Sequence, residues 1–125
     1  MTVLVDDEVD LLYLQRALME ARFARDPVDP VLLGSPRLAE IHRYLVDELI
    51  ALDERKPGVR PPSGWRTWRR FSTREREREI IVRRLKAENI SQMDERSRLD
   101  YLQVVTAPFE TTDVELRQLL SDILA

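Results

Sequence analysis

A chain of 125 residues, 43% hydrophobic and 34% charged, fits one soluble domain able to bury a modest core. With no cysteine it can have no disulfide, thiolate metal site or cysteine nucleophile, and three glycines argue against a turn-rich β-sandwich or a glycine-rich phosphate loop. The net charge of -3 is unevenly spread: Arg55 to Lys86 holds twelve Arg/Lys against three Glu, a basic segment of +9 inside a body of -12.

In chain order, the first helix is expected from about Asp7 to Arg25, with Asp6, Asp7 and Glu8 at its positive dipole end. Leu11, Leu14, Leu18 and Ala21 fall on one apolar face at helical spacing. Leu12, Met19 and Phe23 make a second stripe, suited to a sandwiched helix or to a partner. Pro27 and Pro30 end this helix, and Val31, Leu32 and Leu33 form a short apolar plug. Ser35 followed by Pro36 is an N-cap with proline in the first helical position. The second helix runs to about Glu54, with Leu38, Ile41, Leu45, Leu49 and Leu52 inward and Glu40, Arg43, Asp47 and Glu54 opposite.

From Arg55 to Phe71 the texture RKPGVRPPSGWRTWRRF predicts a long exposed basic arm. Ser72 to Glu75 has the S-x-x-E form of a capping box, for a third helix to about Glu88 whose first half is solvated all round. Ser91 to Asp94 has a similar shape and leads a helix carrying Leu99, Leu102 and Val105, although DYLQVV also suits a strand. After Pro108, Thr112 to Glu115 caps a last helix with Leu116, Leu119, Leu120 and Ile123 inward. The expected architecture is all-α: a single domain over 1–125, a small bundle of about five helices with residues 55–71 as an arm.

His42, the only histidine, lies on or beside the apolar face of the second helix. With no cysteine, and with Glu40, Asp47 and Glu48 off its face, it is expected as a packed histidine bonded to backbone, not a metal ligand. No G-x-S-x-G elbow or Walker loop is present, and adjacent carboxylates such as Asp47 and Glu48 diverge on a helix, so no enzyme and no cofactor is expected. The start MTVLVDDEVD is acidic where a signal peptide is basic, and no apolar run approaches the ~20 residues that span a bilayer, so a cytoplasmic protein without membrane contact is expected. In the arm, Arg66, Arg69 and Arg70 alternate with Trp65, Trp68 and Phe71. Three readings are open, in falling order: aromatics folded on the core, a protein interface, and nucleic-acid binding by phosphate contact and stacking.

One resemblance spans both ends of the chain. Tyr13-Leu14-x-Arg16-Ala17-Leu18, Ala24-Arg25-x-Pro27, Val31-Leu32-Leu33-x-Ser35 and Leu38-x-x-Ile41 with Leu45 stand in one order. The run Phe109 to Leu116, then Leu120 and Asp122, closes it. This pattern resembles the immunity proteins that neutralise the NAD(P)+ glycohydrolase toxin of type VI secretion, with residues 53–96 as a long insertion. The resemblance implies a helical protein that binds its toxin's catalytic domain in the producing cell and blocks substrate access. Glu40, Asp47 and Glu54, with Trp65, Arg66 and Trp68, are the expected toxin contacts. The alternatives are a nucleic-acid-binding regulator using the basic arm, or a homo-oligomeric adaptor joined through Leu12, Met19 and Phe23.

Overall fold

The computed structural model describes residues 6–58 and 63–125, which form six α-helices and three short 3-10 turns, with no strand among them. Helix α1 (Glu8–Arg22) is capped by the Asp7 carboxylate, which accepts from the amides of Val9 and Asp10. It stops three residues short of Arg25, where Phe23 turns into the core and Arg84 donates to the Arg22 carbonyl at 2.8 Å. Helix α2 (Pro36–Glu54) begins as its sequence predicts, with the Ser35 hydroxyl accepting from the Leu38 amide at 3.2 Å and proline in its first turn. Lys56, just past the end of α2, reaches Glu8 at the start of α1 at 2.9 Å, so the two helices run antiparallel.

The expected arm is where sequence and structure part. Among the described part of 55–71, residues 63–71 are not an open loop: they form α3 (Gly64–Trp68) and lead into a 3-10 turn at Phe71–Thr73. The Ser63 hydroxyl caps α3 through the Trp65 amide, and Phe71 is 4% exposed. Apolar area outweighs local polarity here, because two tryptophans and a phenylalanine within seven residues gain more from burial than from solvent. Residues 59–62 lie outside the described residues.

The Ser72 capping box does not form. Ser72 is taken up by the 3-10 turn, and α4 (Glu75–Lys86) starts at Arg74 without a side-chain cap. Similarly, Ser91 lies in a 3-10 turn at Ile90–Gln92, and α5 (Glu95–Thr106) is capped by Asp94, which accepts from the Ser97 amide at 2.8 Å. The DYLQVV segment is helical. Helix α6 (Asp113–Leu124) has the full reciprocal box, Thr112 with Glu115, at 3.1 and 2.9 Å.

The hairpin α1–α2 packs on the α4–α6 layer, with α3 at its flank. The larger core joins Phe23, Phe71 and Phe109 with Ile81 and Leu85 of α4 and Leu119 of α6. A smaller one joins Leu11 of α1 to Leu45 and Leu49 of α2. Leu14, expected inward, is 42% exposed; of the expected plug, Leu33 is buried and Val31 exposed.

A buried polar chain crosses this interior. Gln15 Oε1 accepts from His42 Nε2 at 2.6 Å, and His42 Nδ1 accepts from Arg22 Nη1 at 2.9 Å. An arginine only donates, so His42 must be the neutral tautomer with its proton on Nε2. Arg22, fully buried, also donates to the carbonyls of Leu33 (3.1 Å), Val104 (2.9 Å) and Ala107 (2.6 Å). Val104 and Ala107 lie at the C-terminus of α5, the negative end of its dipole, and Arg43 donates to Gln103 beside them at 2.6 Å. Arg22 therefore ties α1, α2 and the end of α5 together through backbone groups that would otherwise be orphaned.

Candidate functional site

An open groove of about 590 Å³ lies between α1, α3 and α4. Leu12 and Met19 of α1, Trp65 and Trp68 of α3, and Glu77 of α4 line it together with Arg74, which starts α4. Arg16 and Glu20, exposed and one helical turn apart on α1, form part of its rim. Trp65 and Trp68 meet edge to face, their centroids 5.1 Å apart, since positions i and i+3 share one side of a helix. Trp68 also leans on Phe109 at 5.1 Å, which anchors α3 to the larger core. Arg74 sets its guanidinium over the Trp68 ring at 5.4 Å.

The groove thus unites the second stripe of α1 with the aromatics of the expected arm. Phe23, the third member of that stripe, is 1% exposed and belongs to the core. Two of the arginines interleaved with the aromatics, Arg66 and Arg69, are engaged within the chain. Arg66 forms a two-pronged ion pair with Glu54, and this bond holds the Glu54 carboxyl below its usual range and raises the guanidinium. Arg69 pairs with Asp47 and donates to the Pro108 carbonyl at 2.8 Å. Backbone bonds from Glu110 to Arg69 (2.8 Å) and from Phe71 to Glu110 (3.0 Å) close the same junction. Asp47 and Glu54 are therefore exposed carboxylates facing α3, already salt-bridged, and Glu40 sits apart on α2 with Arg37 at 3.7 Å. Of the six expected contact residues, Trp65 and Trp68 line the groove, Glu54 pairs with Arg66 and Asp47 with Arg69 at the α2–α3 junction, and Glu40 lies on α2 beside Arg37.

His42 is buried as expected, but its partners are the side chains of Gln15 and Arg22, not backbone. Burial first, then the charges of Arg22 and Arg69, push its pKa down to about 3. Both ring nitrogens are occupied, which leaves no lone pair for a metal.

Sequence reasoning missed Gln15, Arg22 and Glu77. The signal was present in helical phase: Gln15 and Arg22 share the face of Leu11 and Leu18, and Glu77 stands one turn before Ile81. No family model, curated protein or solved structure matches the chain.

Proposed function

We propose that this chain is an immunity protein that binds the catalytic domain of a cognate secreted toxin, an NAD(P)+ glycohydrolase or related NAD-consuming enzyme, and blocks its active site. The supporting observation is the groove, where two tryptophans and an arginine, residue types that dominate protein–protein hot spots, stand accessible on a rigid helical frame. The order of motifs at both chain ends, quoted above, agrees with this reading. The mechanism is occlusion: the inhibitor contributes shape and charge, and no bond is made or broken. The acidic body favours encounter with a toxin whose pocket is built for an anionic dinucleotide.

Trp65 and Trp68 are the proposed anchors, with Glu40 on the exposed side of α2 as an outlying contact. Glu54–Arg66 and Asp47–Arg69 hold α3 against α2 and act through that placement. The nucleic-acid alternative has two of its three arginines tied to carboxylates, which weakens the phosphate contacts it needs.

The test is co-purification with the toxin domain encoded beside this gene, together with protection of cells expressing that toxin. The wild-type chain captures the domain and protects, and Trp65→Ala lowers both. Equal capture by Trp65→Ala contradicts the proposed interface, and absence of capture by the wild type contradicts the function.

A further inference from the structure

Glu77 is 7% exposed and lines the groove, yet it makes no hydrogen bond or ion pair with another described residue. Its neighbours on α4 do not share that condition: Glu75 and Glu79 are exposed, and Arg78 is bound to Asp122. The nearest candidate on its own face, Arg74, is turned towards the Thr73 carbonyl at 3.2 Å and the Trp68 ring. A leucine or methionine in this phase of α4 would continue the Ile81–Leu85 stripe. Its charge suits the first turn of α4, but no side chain among the described residues takes up its acceptor oxygens.

We propose that the groove is a receptor for an arginine side chain presented by a protein partner, with the Glu77 carboxylate as counter-charge and the Trp65 and Trp68 rings as walls. The chemistry selects the occupant. A carboxylate accepts the two parallel N–H groups of a guanidinium, and an indole face accepts its flat cation. A lysine ammonium supplies neither planarity nor the fork. An anionic ligand would be repelled by the Glu77 carboxylate. Arg74 over Trp68 at 5.4 Å shows within the chain that this aromatic wall accepts a guanidinium. Arg16 and Glu20 are exposed on the rim and Arg74 is stacked on Trp68, so Glu77 is the buried carboxylate of the lining. Only the identity of the partner as the toxin domain rests on the function proposed above; the arginine site stands on the groove itself.

The chain has two tryptophans, so its indole N–H signals in a ¹⁵N spectrum report the groove directly. Titration with N-acetyl-arginine amide shifts both signals saturably, whereas the neutral isostere N-acetyl-citrulline amide and N-acetyl-norleucine amide do not. Glu77→Gln weakens the arginine probe by about tenfold or more, with little change in melting temperature. No saturable shift, an equal response to citrulline, or undiminished binding by Glu77→Gln overturns the proposal. The citrulline comparison needs no variant and decides the matter even should Glu77→Gln fold poorly. A wild-type chain that binds the probe but captures no toxin leaves the arginine site standing and removes the functional reading instead.

Discussion

Arg22 carries its charge at 0% exposure with no carboxylate among its hydrogen-bond partners; three carbonyls and an imidazole solvate it instead. Burial, and secondarily Arg43, lower its pKa to about 10, so it stays a cation at neutral pH. Arg22→Ala would leave those carbonyls and His42 Nδ1 without their donor, and should cost about 3–5 kcal/mol in chemical denaturation. A loss under 1 kcal/mol would mean that water replaces the guanidinium. His42 gives a second residue-scale test. With its folded pKa at about 3 and an unfolded value near 6.5, the unfolded chain binds the extra proton in between. Stability is therefore present in full above about pH 6.5 and falls by roughly 1.4 kcal/mol per pH unit below it, down towards pH 3. In proton NMR the single imidazole should show no titration from pH 8 to 5 while the chain is folded; a midpoint near 6.5 would contradict the neutral tautomer.

At the scale of elements, caps and packing decide where helices begin and how loops lie. Thr112→Ala removes one half of the α6 capping box and should cost about 1 kcal/mol, read as a lower denaturation midpoint. In the turn before α2, a Cβ on Gly34 would stand 2.7 Å from the Tyr101 hydroxyl, which is itself held by Glu88 at 2.7 Å. Gly34→Ala should therefore destabilise by about 1–2 kcal/mol, and Tyr101→Phe in the same chain should recover part of that loss. A double variant no better than Gly34→Ala alone would place the strain elsewhere. Helix caps were legible where the side chain had no rival geometry, as at Ser35 and Thr112. They were misread at Ser72 and Ser91, because both serines enter 3-10 turns that place Arg74 and Asp94 at the true helix starts. Periodicity located the helices but not their depth of burial: Leu14 faces water while Gln15 beside it is buried against His42, since the packing of α2 decides which flank is covered.

The described residues form an acidic helical body, and the described part of the basic segment from Gly64 on is folded into it. Arg66 and Arg69 meet Glu54 and Asp47 across the α2–α3 junction, so part of the +9 is spent on internal pairing. The all-α class was legible from helical phase and proline placement. The groove was not, because it needs Leu12 and Met19 of α1 beside Trp65 and Trp68, about fifty residues away in the chain. No local pattern announces that encounter. It turns a basic arm with several readings into an aromatic recess with one buried carboxylate, Glu77, among the described residues that line it. The most direct test is calorimetric titration of the wild-type chain, Trp65→Ala and Glu77→Gln with the catalytic domain of the toxin proposed as its partner, alongside that domain's NAD(P)+ hydrolysis. Stoichiometric binding that abolishes hydrolysis, weakened about tenfold or more in each variant, is the expected result. Wild-type affinity in both variants, or binding that leaves hydrolysis intact, would contradict occlusion through this groove.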